Sequence, residues 1–253
     1  MVWIELRKVL RSRLPLFLAV GSLLMPLGVS FLIFAAKNPL ITSRLGLISA
    51  KANLVAYSAT DWSSYIGLVS QIMGAAGILL FTLMTSWVFG REFADGTLKD
   101  LLAVPVRRSS IVLAKFIIIT IWSVGSSVLI LVVALVMGAI LHLSQGSLNI
   151  VIHGSAMTMI TACMVILVIL PFAFFASVGR GYLLPIGVML LALIMANLVS
   201  VAGWGDYFPW AIPMLFAQGK ESLAATSLWI VFFTGLIGIF GTYLWWKFAN
   251  QNR

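Results

Sequence analysis

The sequence predicts an all-α, polytopic membrane protein with six transmembrane helices, and three observations lead to that fold class. Of its 253 residues, 62% are hydrophobic and 9% are charged, whereas a soluble domain is about 45–50% apolar and about 25% charged. Six apolar runs are each long enough for a membrane-spanning helix, which needs roughly 20 residues. The charged residues gather in short segments between those runs. We therefore expect residues 1–253 to form a single transmembrane domain.

The first element is an amphipathic segment, residues 1–13. At about 100° per residue, one arc of a helix here is apolar and the opposite arc is mostly charged. The apolar arc holds Val2, Trp3, Leu6, Val9 and Leu10, and the polar arc holds Glu5, Arg7, Lys8, Arg11 and Ser12. This pattern is typical of a helix that lies in the headgroup region of a membrane. The alternative is a basic leader that only sets the topology.

The six predicted spans cover residues 14–36, 65–90, 111–141, 150–177, 182–201 and 227–247. The first is longer than the core of a signal peptide, about 7–15 residues, so we interpret it as an uncleaved anchor. Pro26 and Pro171 are expected to bend the first and fourth spans. Small residues at helical spacing in the second and fourth spans predict close helix packing. They are Ser70, Gly74 and Gly77 in one span and Gly154, Thr158 and Ala162 in the other.

The segment between the fifth and sixth spans, residues 202–226, is rich in Trp, Tyr, Phe and Pro. Aromatic side chains favour the boundary between membrane and water. We therefore expect this segment to dip into the outer interface and not to form a soluble loop.

Basic residues are distributed unevenly between the two sides of the predicted spans. Twelve of the sixteen lysines and arginines fall on the side that carries both termini, and four fall on the other side. An excess of positive charge marks the cytoplasmic side, so we expect both termini and residues 91–110 in the cytoplasm, beneath the plasma (cell) membrane. The net charge of +9 then serves topology. We expect no nucleic-acid partner, because the sequence offers no soluble basic domain.

Residues that could carry catalysis or ion coupling are missing from the predicted spans. No Asp, Glu, Lys or Arg is placed deep in any of the six, where a charge costs at least about 2.5–3.5 kcal/mol. Polar residues such as Thr85 and Thr158 are expected to hydrogen-bond to the preceding helical turn or to a neighbouring helix. The sequence contains no GxxxxGK(S/T) phosphate loop and no HExxH, CxxC or GxSxG signature. We therefore expect no catalytic residue and no ATP site in this chain.

The one cysteine and the two histidines do not indicate a metal site. Cys163 lies inside an apolar run and is predicted to be a small, buried hydrophobic residue. His142 and His153 flank a short polar loop without accompanying acids or cysteines. Metal centres need a cluster of such ligands, so we expect no bound metal.

The connection between the second and third spans, residues 91–110, has the pattern of a short amphipathic helix. The residues that suggest it are Gly96, Thr97, Leu98, Asp100, Leu101, Leu102 and Pro105. A turn-permitting glycine precedes a Thr-x-x-Asp start, the leucines form an apolar face, and the proline ends the helix. Such a helix could pass a push from a soluble partner into two spans. The same pattern is also compatible with an ordinary loop whose charges only set topology.

This connection resembles the cytoplasmic segment of type-2 ATP-binding-cassette (ABC) permeases, which in bacterial members often reads E-x-x-x-G-T-L-x-x-L-L-x-x-P-x-x-R/K. The matching residues are Glu92, Gly96, Thr97, Leu98, Leu101, Leu102, Pro105 and Arg108. The chain length, the amphipathic start, the six spans and the outer dip are also similar to this family. Its small stand-alone members include permeases that protect bacteria against bacitracin and lantibiotics.

The resemblance implies a non-catalytic half-transporter that exports an amphiphilic or peptide-like compound. Two permease subunits, identical or related, would form the path, and two separate cytoplasmic ATPase subunits would bind ATP and Mg²⁺. Residues 97–103 would form a coupling helix in a cleft of the ATPase. The implied ATPase interface comprises Glu92, Gly96, Thr97, Leu98, Asp100, Leu101, Leu102, Pro105 and Arg108. The N-terminal helix, with Trp3, Leu6, Arg7, Lys8 and Arg11, would also face the ATPase.

Two other functions remain open on the residues alone. A self-sufficient secondary transporter or channel would move its solute without an ATPase, and the missing charges within the spans count against it. A membrane anchor or sensor would recruit a soluble protein without transport, and ATP hydrolysis that does not respond to cargo would identify it.

Overall fold

The computed structural model describes residues 1–37, 61–98, 106–219 and 225–248, and within these ranges it contains ten α-helices and one 3₁₀ turn. The helices are α1 (Val2–Arg11), α2 (Arg13–Ser22), α3 (Leu24–Lys37), α4 (Trp62–Ala94), α5 (Arg108–Ile140), α6 (Leu148–Ile169), α7 (Pro171–Val178), α8 (Leu183–Val201), α9 (Ile212–Ala217) and α10 (Ala225–Phe248). The 3₁₀ turn is Gly205–Tyr207. The predicted all-α fold class is confirmed.

Six stretches of the described residues are long and apolar enough to cross a membrane, as predicted. They are Arg13–Ala35, Trp62–Ala94, Arg108–Ile140, Leu148–Val178, Leu183–Val201 and Ala225–Phe248. At one end of the bundle, α1 meets the end of α4 and the start of α5, and we call this the basic end. The opposite end carries the start of α4 and the connection between α5 and α6, where the backbone N–H of Trp62 donates to the Ser144 carbonyl.

Two of the spans are interrupted where proline was expected to bend them. The first breaks at Leu23, between α2 and α3, and Pro26 lies in the first turn of α3. Proline has no N–H to donate to the carbonyl four residues earlier, so the helix cannot continue undisturbed through that turn. The fourth breaks at Leu170, and Pro171 begins α7. Both spans are therefore interrupted near the predicted prolines, and the bend angles stay a prediction.

The small residues of α4 and α6 bring these two central helices together. The hydroxyls of Ser70 and Thr158 lie 2.7 Å apart across the helix pair. One turn away, a Cβ atom added to Gly154 would lie 2.7 Å from a methyl carbon of Ile66, so only glycine fits this approach. The predicted close packing is confirmed, and the two sets of small residues meet each other within one chain.

Polar residues inside the spans bond mostly within their own helices, as expected. Side chains that donate to the carbonyl four residues earlier are Thr85, Ser127, Thr158, Thr161, Asn197 and Thr234. Thr82 and Ser123 depart from this pattern, because their buried hydroxyls have no partner within the described residues.

Cys163 is exposed on the outer surface of α6, so the prediction that it is buried is wrong. The reason is that α6 is apolar on every side, and such a helix carries no signal of which face packs against protein. In a membrane-spanning bundle the outward face meets lipid, so an apolar residue there incurs no hydration cost.

Part of the segment between α8 and α10 folds back onto the central helices. The Trp210 indole N–H donates to the Val168 carbonyl over 3.0 Å, and the backbone of Met214 in α9 packs directly against Gly74 of α4. Residues 220–224 lie outside the described residues, and the predicted dip of residues 202–226 into the membrane interface stays a prediction.

Candidate coupling site

Four charged side chains form a closed ring at the basic end. Lys115 Nζ lies 2.7 Å from Glu92 Oε2 and 3.6 Å from Glu5 Oε2. Lys8 Nζ lies 2.7 Å from Glu5 Oε1 and 3.1 Å from Glu92 Oε1. Each carboxylate therefore touches both ammonium groups, and the ring has no net formal charge. We call these four residues the charge ring; they tie α1 to the end of α4 and to α5.

The charge ring divides the polar arc of α1 between two environments. Glu5 is 5% exposed and lies against the bundle beside Val9, whereas Arg7 and Arg11 are exposed. Trp3, which is 60% exposed, carries the Arg7 guanidinium 5.2 Å from its ring centroid. Glu5 and Lys8 therefore contact the bundle, whereas Arg7 and Arg11 of the same arc do not join the ring. The predicted helix itself is confirmed by α1.

Lys115 is a charged residue near the start of the third predicted span. It lies about two turns into α5 and is 0% exposed. This position is not deep within the span, but the burial of Lys115 was not predicted from the sequence. Its ammonium group donates to the Val88 carbonyl over 2.6 Å as well as to Glu92. Paired acids on two other elements make this burial possible, since a buried ion needs a partner close by. The available signal was a lone lysine inside an otherwise apolar run.

The electrostatics of the ring favour charged Lys8. Burial by itself lowers the pKa of the Lys8 ammonium, but the hydrogen bond and charge of Glu5, reinforced by Glu92, outweigh that effect and raise its pKa above the ordinary value. Lys8 is therefore positively charged at physiological pH and holds both carboxylates.

Immediately after the ring, the chain turns sharply into the predicted coupling segment. Gly96 has φ of +70°, a left-handed conformation that glycine adopts without a steric penalty. Thr97 is exposed, and Leu98 packs partly buried against the core. The turn at Gly96 agrees with the prediction. The predicted interface residues Asp100, Leu101, Leu102 and Pro105 lie outside the described residues.

Arg108 connects the far side of the segment to the last helix. It begins α5, and its Nη1 lies 3.3 Å from the Trp246 carbonyl near the end of α10. The Trp246 indole in turn donates to the Ser177 hydroxyl over 2.9 Å. Thus Glu92 and Arg108, both predicted from the motif, bind elements of this chain. The structure brings Glu92 together with Lys8, while Trp3, Leu6, Arg7 and Arg11 do not join the ring.

The charge ring joins three helices of the bundle at one end. The four ring residues fix three helices to one another on both sides of residues 91–110. Within the described residues, no three His, Cys, Asp or Glu side chains are placed to hold a metal ion. The ring is therefore a structural junction between α1, α4 and α5.

Comparison with known proteins identifies the family of this chain. The model of a family described as ABC-2 family transporter protein matches residues 1–197, which include α1, the charge ring and the whole 91–110 connection. The chain is 26% identical over 174 residues to the bacitracin transport permease protein BCRB of Bacillus licheniformis, and the match covers 68% of this chain and 84% of the relative. No solved structure matches. The chain therefore belongs to the ABC-2 transporter family and is a multi-pass membrane permease subunit of an ABC transporter.

Proposed function

We propose that this permease exports an amphiphilic or peptide-like compound, and that the charge ring makes α1, α4 and α5 respond together to the partner ATPase. The observation that carries the proposal is the buried Glu92–Lys115 contact of 2.7 Å, which bridges the two helices that flank the coupling segment. A displacement of that segment then moves both helices, and α1 follows because Lys8 and Glu5 belong to the same ring.

The proposed assembly contains two permease subunits, identical or related, and two ATPase subunits that bind ATP and Mg²⁺ on their own chains. The basic end faces the cytoplasm, where the ATPases are. This orientation is supported by the exposed arginines of that end, because positive charge is retained on the cytoplasmic side. They include Arg7, Arg11, Arg13, Arg107 and Arg108.

The mechanism is a shift between two packings of the spans. ATP binding draws the ATPases together, and residues 97–103, seated in their clefts, move with them. A ligand shifts such an equilibrium only by binding one state better than the other. In this proposal cargo binds best to one arrangement of α1, α4 and α5, and the ATP-bound ATPase binds best to the other. ATP binding therefore converts the first arrangement into the second.

The cargo class is proposed from one relative, the bacitracin transport permease protein of Bacillus licheniformis. Among the described residues, large apolar side chains are exposed along the spans, among them Leu191, Ile194 and Phe233. An amphiphile could enter such a permease sideways from the bilayer.

The experiment that tests this function compares Leu101→Glu with Leu148→Glu. Both place a carboxylate on a leucine, but Leu148 is an exposed residue at the start of α6 and serves as the matched control. After mild-detergent purification from the native membrane, we expect a soluble ATPase to accompany the wild type and the control, and to be lost from Leu101→Glu.

Normal ATPase recovery and normal export by Leu101→Glu would contradict the proposed coupling segment. Recovery of the wild-type chain alone, still moving solute in liposomes without ATP, would favour a secondary transporter. Hydrolysis that cargo never stimulates would favour an anchor or sensor.

A further inference from the structure

A groove of about 400 Å³ runs along the outer part of the α4–α6 contact, at the opposite end from the charge ring. Its volume falls within the range of small-molecule sites, about 300–1,000 Å³. Below the groove the two helices are in tight contact through Ser70 and Thr158. Towards the end of the bundle they separate, and Ala217 at the end of α9 forms part of the wall.

Gly67 shows that the space is not needed for helix packing. A Cβ atom added there would meet nothing within 4 Å, unlike one added to Gly154 or Gly74, which would strike a neighbouring side chain or backbone. Two glycines of this helix pair are therefore explained by close contact, whereas Gly67 opens onto the groove. Gly67 lines the groove, so a larger side chain at this position would occupy part of it.

The lining changes character along its length. Along α6, Asn149 and His153 in the first two turns of the helix form the mouth, and the lining continues inward to Met157. Along α4 it runs from Ser63 through Gly67 to Ser70, and both serine hydroxyls are hydrogen-bonded within the chain. Both mouth residues are exposed, and their side chains make no hydrogen bond within the part of the chain that the structure describes. The groove is therefore mostly apolar and ends in amide and imidazole groups without hydrogen-bond partners among the described residues. An amphiphile has the same arrangement, an apolar chain followed by a polar headgroup.

We propose that this groove binds a single-chain amphiphile, with its alkyl chain between α4 and α6 and a hydrogen-bonding headgroup at Asn149 and His153. The inference rests on the proposed export function, and it places one cargo site at the end remote from the ATPase. The occupant is a cargo amphiphile and not an ordinary two-chain lipid, because a groove of about 400 Å³ accommodates a small ligand.

The position of the groove also indicates how occupancy reaches the ATPase. Its α4 wall and Glu92 belong to the same helix, Trp62–Ala94. A chain that enters between α4 and α6 pushes on a helix whose other end is held in the charge ring. Cargo at one end and ATPase at the other are thereby joined by one rigid element.

The test uses dodecyl maltoside that carries a diazirine in its alkyl chain, added to the purified chain in phosphatidylcholine nanodiscs. We expect saturable photolabelling that maps to α4 and α6, and competition by unmodified dodecyl maltoside. Gly67→Leu should fill the groove, and exclusion of two methylenes alone would weaken binding by about tenfold. His153→Leu should weaken labelling through the headgroup without filling the channel.

Gly125→Leu is the matched control, because an added Cβ at Gly125 also meets nothing within 4 Å, and this residue lies exposed on α5 away from the groove. It should label like the wild type. Equal labelling of all variants would overturn the proposal. So would equal labelling of the groove by phosphatidylcholine with a diazirine in one acyl chain, which would make the occupant a bilayer lipid.

The outcome is independent of the proposed coupling, since no ATPase is present in the nanodisc. A permease that recruits and stimulates its ATPase but shows no groove labelling would retain its proposed function and lose this site. Groove labelling in a permease that recruits no ATPase would support this site and contradict the proposed coupling.

Discussion

The two ends of α4 differ in their surroundings: one is held by charged contacts and the other borders an open groove. At the basic end, Glu92 is 3% exposed and shares its carboxylate between two lysines from other elements. At the opposite end, Gly67 faces a groove of about 400 Å³, and none of the described residues that line it is an acid, a lysine or an arginine. Charged contacts fix one end in place, and missing side chains leave space at the other. In the proposed mechanism, α4 contacts cargo at one end and transmits its presence to the charge ring at the other.

The largest expected effect comes from breaking the charge ring at Glu92. Glu92→Gln leaves Lys115 fully buried without its nearest counterion, and loss of one partner from a buried pair costs about 3–5 kcal/mol. We expect a loss of that size in the free energy of unfolding, measured by denaturant titration in micelles. Asp95→Asn is the control, because the Asp95–Arg91 contact is 3.8 Å long and exposed and should contribute at most about 1 kcal/mol. Equal small losses for both would mean that the ring is not buried in the folded protein.

A double substitution tests whether Glu92 and Lys115 stabilise the folded protein as a pair. Glu92→Gln combined with Lys115→Met removes one acid and one base together and keeps the Glu5–Lys8 contact of 2.7 Å. We expect the double variant to be more stable than Glu92→Gln alone, with an interaction energy of about 1–3 kcal/mol in a double-mutant cycle. Simple additivity of the two single variants would show that Glu92 and Lys115 do not depend on each other.

Two alanine substitutions on α4 test the packing at the opposite end, where the groove lies. Gly74→Ala should destabilise by about 1–3 kcal/mol, because its Cβ would lie 2.9 Å from the Met214 backbone, which cannot easily move. Gly67→Ala should be neutral or stabilising by up to about 1 kcal/mol, since alanine is the better helix former. Thermal unfolding of both purified proteins measures the difference. A loss at Gly67 as large as that at Gly74 would mean that the groove is closed.

The smallest expected effect is the response of the ring to pH. The pKa of Lys8 is raised by its carboxylate partners, so its stabilising contribution is complete below the ordinary lysine pKa and is lost only as pH rises through the higher folded value. Between about pH 7 and about pH 9, the difference in stability between the wild type and Lys8→Met should stay constant within about 0.5 kcal/mol. A wild-type stability that rises relative to Lys8→Met by more than about 1 kcal/mol over this interval would show that Lys8 is neutral in the ring, because only the unfolded state would then hold the proton.

The main features of the bundle could be predicted because they depend on single residues or short runs. Apolar length predicts the spans, and Pro26 and Pro171 interrupt helices wherever their turn lies in the fold. Gly96 makes the turn that its motif suggests. The motif around Glu92 also indicated the family correctly. None of these inferences required knowledge of which helices are neighbours.

The charge ring could not be predicted in the same way. Glu5, Glu92 and Lys115 are far apart along the chain, and each alone resembles a boundary charge that sets topology. Lys115 lies in a predicted span, but its burial could not be predicted from that run alone, because a buried lysine needs the acids of α1 and α4 beside it. Cys163 was misplaced for a related reason, since an all-apolar helix does not show which face is covered.

The sequence by itself determined that this chain is helical, that it can cross a membrane six times, and where its helices bend. These properties follow from the hydropathy and backbone chemistry of local segments, which act in the same way in any arrangement of the helices. Only the tertiary structure decided that four charges close into one ring and that Gly67 opens onto a groove while Gly74 and Gly154 do not. Those outcomes depend on distances between elements remote in the chain, and both ion pairing and steric contact vary steeply with distance.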